Sequence, residues 1–362
     1  MNNNRNNLFS IAKGIGIILM VMGHCGAPDI FVKFIYLFHM PLFFFCSGYF
    51  LKDINKTSTL FLTYKKKIKG IYVKFVIWSL IFLALHNIFY HLNIYNDVIL
   101  FQGQPSYLYT LPDYIKKSTK IILSMNEHEQ LVRSFWFLKQ LFIASILTTT
   151  ILYITNKLSS FKHTNLIILV LLFVLSIISK IYCWTIPAIW DISLVFLSSS
   201  FFLSGKVFRE YCILDSLPNF WVSTSCIFLL TIALFTLPWT NMLEYSYLTI
   251  IPFSIASFSG ILLTLSISRK LEEFKIKNFF YYLGQNTMVI FALHMLCFKI
   301  GNLLKIAIYN MPIYRLAEFQ IIEDHNSFFW IIYTTTGIAI PLIIDYYLKR
   351  NKVTRIIWSH LV

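Results

Sequence analysis

Charge is what this sequence has least of. Asp, Glu, Lys and Arg together make up 13% of its 362 residues, about half the share that a soluble globular domain needs to face water. That excludes a cytosolic enzyme, a disordered protein and a disulfide-rich secreted scaffold. No CxxC occurs, and the six cysteines (25, 46, 183, 212, 226 and 297) are scattered in or near apolar stretches. They read as small core residues rather than a disulfide or zinc framework, and no metal site is expected. No A-x-A site follows the first apolar run, Lys13 interrupts it, and His24 stands directly before Cys25 where a lipoprotein box requires a small residue. The run therefore reads as a retained first helix rather than a cleaved signal. Period-2 alternation, internal repeats, low-complexity tracts and an appended soluble domain are also missing, so a membrane β-barrel is not supported.

What is present is apolar length. The chain is 57% hydrophobic and 18% aromatic, and spanning a bilayer as a helix takes about 20 apolar residues. Ten runs qualify: 8–26, 33–51, 70–90, 134–155, 164–184, 187–208, 219–239, 246–267, 280–304 and 328–348. The fifth and sixth are parted only by a tight turn near Pro187. The expected fold is all-α, a polytopic bundle of about ten transmembrane helices forming one domain over residues 1–362.

The net charge of +15 would suggest nucleic acid in a soluble protein. In a bilayer protein it sets topology and faces anionic lipid, and no nucleic-acid partner is expected. Nineteen Lys and Arg fall in the loops that share a side with both termini, among them Lys65, Lys66, Lys67, Lys69, Lys162, Lys206, Arg209 and Lys352. The opposite loops hold seven, including Lys180, Lys305 and Arg315. The bias puts both termini in the cytoplasm, as an even number of spans requires. The external segments are 91–133, with an amphipathic helix starting near Pro112 and Asp113, and 305–327, which carries Tyr314, Arg315, Glu318, Glu323, Asp324 and His325. Either could be a solvated connector or line a site for a polar ligand.

Five cations remain in or at the edges of spans: Lys13, Lys33, Lys74, Lys139 and Lys299. Lys33, Lys74 and Lys299 lie near enough to an end to snorkel. Lys13 is harder to dismiss, because His24 follows it by eleven residues, about three helical turns and roughly 16 Å along one stripe. Gly16, near that stripe, would admit a ligand or a neighbouring helix. His39, about two turns into the second span and followed by Pro41, is expected near the depth of His24. Two imidazoles at similar depth suit proton transfer, while a structural His39 bonding a carbonyl freed by Pro41 is the alternative.

These residues carry a resemblance. Lys13-Gly14-Ile15 through Gly23-His24, Phe38-His39-Met40-Pro41-Leu42-Phe43-Phe44-Phe45, Ser47-Gly48-Tyr49, Phe135-Trp136-Phe137-Leu138, and Leu283-Gly284-Gln285-Asn286-Thr287 through Leu293-His294 resemble, in order, the acyltransferase 3 family of membrane acyltransferases. The pattern is most similar to that of fucose 4-O-acetylase-like members. Two features depart from it: Lys13 stands where Arg is more common, so a bidentate clamp becomes a point charge, and Val73-Lys74 stands where relatives commonly enter the third span with Pro.

The resemblance implies an O-acyltransferase of a bacterial inner membrane, using acetyl-CoA as donor substrate with no permanently bound cofactor. The acceptor would be a hydroxyl of a cell-surface polysaccharide or its lipid-linked precursor. Lys13, Lys66, Lys67 and Lys69 become candidates for the polyanionic donor. His24 becomes the candidate general base, with His39 or His294 orienting it or binding the acceptor, and a covalent acyl-His relay remains open. Trp136, Asn286 and His294 become candidates for the acceptor. The rival is a transporter or flippase for a glycolipid or polyanion, which explains the spans and buried cations but not the Lys13/His24 spacing, and which would favour inverted repeats.

Overall fold

The computed structural model describes residues 2–158, 161, 163–186, 191–217, 219–323, 328–351, 354, 355 and 358. Pro187, Lys162, Asp324, His325 and Lys352, singled out above, lie outside the described residues. Among the described residues the helices in chain order are α1 (Asn2–Met22), α2 (Asp29–Tyr36), α3 (His39–Tyr49), α4 (Thr57–Lys67), α5 (Val73–Ala84), α6 (His86–His91), α7 (Leu111–Ser124), α8 (Trp136–Leu158), α9 (Thr164–Ile181), α10 (Ile192–Glu210), α11 (Phe220–Thr236), α12 (Ile250–Leu271), α13 (Lys277–Gln285), α14 (Thr287–Tyr309) and α15 (Phe329–Arg350). The chain is all-α. Among the described residues, seven helical stretches are long and apolar enough to cross a membrane: Asp29–Tyr49, Gln130–Leu158, Thr164–Ile181, Ile192–Glu210, Ile250–Leu271, Thr287–Tyr309 and Phe329–Arg350. Two shorter apolar helices, Asn7–Met22 and Phe220–Thr236, match the first and seventh expected spans. The large apolar side chains that α9 leaves exposed, such as Leu166, Ile167, Val170, Leu171 and Val174, need lipid rather than water around them. This is a multi-pass membrane protein.

Local chemistry shapes the elements. Asp191 caps α10 by accepting from the Leu194 amide at 3.2 Å, and Asn219 caps α11 through the Trp221 amide at 2.9 Å. A capping box between Thr110 and Asp113 starts α7 where the sequence placed it. The second expected span is two helices. Phe38, at φ −146° and ψ −16°, parts α2 from α3, so His39 opens α3 instead of lying two turns inside a continuous helix. Pro41 is the third residue of α3, where an amide has no helical partner to lose. The third expected span divides similarly, into a π-turn at Ile68–Tyr72, α5 and α6.

The chain forms two compact units. One comprises Met1–Met20, Asp29–Gly70 and Gln140–Gln285; the other comprises Val21–Pro28, Ile71–Lys139 and Asn286–Val362. In the first, α10 packs against α3 and α9, α12 against α3 and α11. Its closest crossing is all backbone: a Cβ on Gly48 of α3 would stand 1.6 Å from the Phe202 carbonyl oxygen, and one on Gly205 of α10 2.1 Å from that of Phe45. Small residues allow this approach. Arg209 closes the crossing by donating to the carbonyls of Tyr49 and Leu51 at 2.8 and 2.7 Å, two acceptors that the end of α3 leaves over. Lys206, expected in a cytoplasmic loop, is instead buried in α10 and ion-paired with Asp53 and Glu210. In the second unit α14 packs on α15 and α5 on α7. Of the cysteines, Cys25, Cys46, Cys226 and Cys297 are buried, whereas Cys183 and Cys212 are exposed at the ends of α9 and α10, correcting their reading as core residues.

Candidate active site

α1 ends at Met22, and Gly23–Gly26 make a turn held by the His24 amide on Val21 O at 3.1 Å and the Cys25 amide on Met22 O at 3.4 Å. Gly26 has φ +70°, a conformation that costs glycine nothing, and its bare Cα lies against Ile321. The Cys25 thiol donates to Met22 O at 3.2 Å and meets the Thr334 hydroxyl of α15 at 3.1 Å. His24 is therefore presented by a turn, not by the helix that carries Lys13, and the three-turn stripe stops short of it.

Opposite His24 stands His294 of α14, with ring centroids 5.7 Å apart and planes tilted by 33°. His294 has no exposed surface. Its Nδ1 lies 2.9 Å from the Phe291 carbonyl oxygen, and an oxygen of that kind only accepts, so Nδ1 carries the proton. Its Nε2 is buried and has no hydrogen-bond partner among the described residues. Above His24 lies Gln320, at φ 61°, whose Nε2 stands 3.2 Å from His24 Nδ1.

Gln320 is the residue that the sequence reading missed, and α14 explains how a loop residue is held there. Lys299 Nζ donates to the carbonyls of Leu316 and Glu318 at 3.0 and 2.6 Å. Asn302 Oδ1 accepts from the Ile322 amide at 3.1 Å and from the Tyr333 hydroxyl at 2.8 Å. Lys305 Nζ donates to the Ile322 carbonyl at 3.0 Å. The segment after α14 is thus pinned along the face of the helix, with an apolar seal of Ile306, Leu316 and Ile322. Lys299 is not a snorkelling anchor, and Lys305 is not a loop charge: both are buried cations of this pin. Nothing in the sequence marks Gln320, because its position depends on three side chains 15–21 residues earlier.

The segment before α8 reaches the same helix. Phe135 stacks on Phe291 at 5.3 Å and 18°, and Phe137 meets it edge-on at 5.9 Å. Trp136, only partly buried, lies edge-on to Phe137 at 6.4 Å and 82°. Asn286 stands elsewhere. It accepts from Lys349 at 3.3 Å, which also binds Asp345 at 2.7 Å, and Trp358 donates to the same Asp345 at 2.7 Å. Eight residues of helix, about 12 Å, separate Asn286 from His294.

The remaining candidates belong to the other unit. His39 donates from Nδ1 to the Ile35 carbonyl at 2.9 Å and stacks on Tyr36, contacts that fit the structural alternative, with Ile35 rather than a carbonyl freed by Pro41 as the acceptor. Lys13 is half-buried, and its ammonium interacts electrostatically with the Cys46 thiol. Gly14 and Gly284 seat α1 against α13, where added Cβ atoms would meet Phe280 O at 2.0 Å and Ser10 O at 1.7 Å, and Gln285 donates to the Ser10 hydroxyl at 2.7 Å. Lys65 and Lys66 are exposed at the end of α4, Lys69 is exposed in the π-turn, and Lys67 places its ammonium 5.0 Å over the Phe202 ring. Among the described residues, no group of three or more His, Cys, Asp or Glu could hold a metal ion.

Compared with known proteins, residues 7–346 match the sequence pattern of a family described as an acyltransferase domain, the acyltransferase 3 family. No curated protein and no solved structure matches the chain.

Proposed function

The chain belongs to the acyltransferase 3 family and is a membrane acyltransferase; from that premise we propose that it is one catalytic domain that moves an acetyl group from cytoplasmic acetyl-CoA to a carbohydrate hydroxyl at the outer face of a bacterial inner membrane. The acceptor is a surface polysaccharide or its lipid-linked precursor, and both termini are cytoplasmic. Coenzyme A is polyanionic and does not cross bilayers, so its phosphates call for cations on the inner side. Lys66 and Lys69, exposed and close in sequence, supply long-range attraction. Lys67 and Lys13, each partly buried, suit direct contact with a phosphate or the pantetheine arm.

The observation that carries this reading is the approach of His24 and His294 at 5.7 Å. A sugar hydroxyl is a poor nucleophile and must lose its proton as it attacks a thioester. An imidazole within about 3 Å contributes typically about 10²–10⁴-fold. The transporter reading gains no support from a pair of imidazoles held this close.

The test incubates the purified full-length protein with [1-¹⁴C]acetyl-CoA and envelope membranes from cells lacking the gene, which carry the native acceptor. Label in glycan, lost in His24→Ala at equal protein level, is the expected result. No label with wild-type protein refutes the reading, and undiminished label in His24→Ala removes His24 from the mechanism. Glycan NMR of the labelled product then identifies the acyl group and its position.

A further inference from the structure

The two imidazoles are in different protonation patterns, and the difference divides the chemical labour between them. Gln320 Nε2 is an amide nitrogen and only donates, so His24 Nδ1 accepts at 3.2 Å. A neutral His24 then carries its proton on Nε2. His294 is the reverse. Its Nδ1–H is committed to the Phe291 carbonyl at 2.9 Å, leaving a lone pair on Nε2 that is fully buried and meets no donor among the described residues. Leaving a buried acceptor unmet is costly, and among the reasons for keeping one are a catalytic role and a ligand or water that completes it.

We infer that His294 Nε2 is the general base that receives the acceptor's proton, and that His24 Nε2–H is the donor that stabilises the oxyanion. This assignment rests on the acyl-transfer reading above and goes beyond the expectation that His24 is the base. In the step, the acceptor O–H gives its proton to His294 Nε2 as its oxygen forms a bond to the thioester carbonyl carbon. The carbonyl oxygen becomes an oxyanion that accepts from His24 Nε2–H. The tetrahedral adduct collapses with cleavage of the C–S bond, and the proton on His294 passes to the departing sulfur. The products are the ester and the free CoA thiol, and both histidines return to their starting tautomers. Gln320 is the positioning residue for His24: it fixes the tautomer and does not touch the reacting atoms.

Full-length protein in nanodiscs, with [1-¹⁴C]acetyl-CoA and the acceptor membranes described above, separates the two assignments. His294→Asn keeps an amide donor for the Phe291 carbonyl but has no basic nitrogen, and it is expected to lose about 10²–10⁴-fold in kcat. His24→Gln keeps a side-chain N–H near the position of Nε2 and is expected to lose no more than about tenfold. The acid limb of its rate–pH profile should persist, since the base is still present. A His24→Gln loss as deep as that of His294→Asn, or disappearance of the acid limb in His24→Gln, overturns the assignment while leaving acyl transfer intact. An inert wild-type protein refutes both. Loss of the monodisperse peak after solubilisation identifies a variant that has failed to fold; His294→Gln then replaces His294→Asn, with the same expected loss and the same overturning result.

Discussion

A methyl group on Gly48 tests the helix crossing that organises one half of this protein. The added Cβ would lie 1.6 Å from the Phe202 carbonyl oxygen and within 2.6 Å of its carbon, while real contacts of this kind do not fall below 3.0 Å. α3 and α10 would have to part by about 1.4 Å, and neither obstructing atom is a side chain that could swing away. Overpacking of this sort costs about 1–3 kcal/mol, occasionally more. The same retreat lengthens the Arg209 bonds to Tyr49 and Leu51, now 2.8 and 2.7 Å, and a hydrogen bond to a charged group contributes about 1.5–3 kcal/mol. Against this, Gly→Ala inside a helix gains about 1 kcal/mol. The expected net loss for Gly48→Ala is about 2–4 kcal/mol, or roughly 5–15 °C at about 2–4 °C per kcal/mol. Heating solubilised full-length protein and following the surviving monodisperse fraction by fluorescence-detected size exclusion measures it. Gly70→Ala is the control, since nothing lies within 4 Å of a Cβ there. Gly48→Ala melting with Gly70→Ala would refute the backbone crossing.

Three further outcomes are expected. Asn302→Leu orphans the Ile322 amide and the Tyr333 hydroxyl, both donors to its Oδ1, at about 1–3 kcal/mol each; thermal melting reads the loss, and transferase activity should fall with it as the strap that carries Gln320 loosens. His128, in the loop after α7, is held neutral down to about 4 by burial and by repulsion from Lys117 and Lys120. As pH falls from 6.5 towards 4 the unfolded chain takes a proton that the folded one refuses, so stability drops across that window; His128→Gln should flatten the drop, and melting curves against pH check it. Charge reversal at Lys66 and Lys69 together should raise KM for acetyl-CoA several-fold, with kcat within twofold and a weakened dependence on salt; a fall in kcat with unchanged KM would show that these lysines do not serve the donor.

Much of the fold was legible because a bilayer enforces it. Apolar length marked where helices would lie, and every expected span contains helix. What hydrophobicity does not register is where a helix stops. Phe38 breaks the second span and the Gly23–Gly26 turn ends the first, yet both stretches remain apolar straight through their breaks. Those two breaks determine how His24 and His39 are presented, and no run of apolar residues marks them. Gly48 and Gly205 are small residues in apolar runs, and pattern alone gives no reason to choose them over Gly16; the choice comes from which backbone faces which.

The charges teach the sharper lesson. An ionisable residue in a span defaults to a functional hypothesis, yet Lys206, Lys299 and Lys305 are buried and each is met by carboxylates or carbonyl oxygens. Burying a cation is tolerable once its donors are used, and here the cations serve as fasteners for loops and helix ends. His294 is the contrary case: a neutral ring, inconspicuous on any charge count, with one nitrogen engaged and the other left bare in the interior. Most buried groups without a partner among the described residues are hydroxyls, which rotate and can share neighbours at small cost. An imidazole lone pair fixed in direction by its own Nδ1–H cannot. His128 Nε2 and Glu129 Oε1 are unmet among the described residues as well, so an unmet atom alone does not choose a site; what sets His294 apart is the second imidazole of His24 at 5.7 Å, and that pairing is what the proposed base assignment puts to the test.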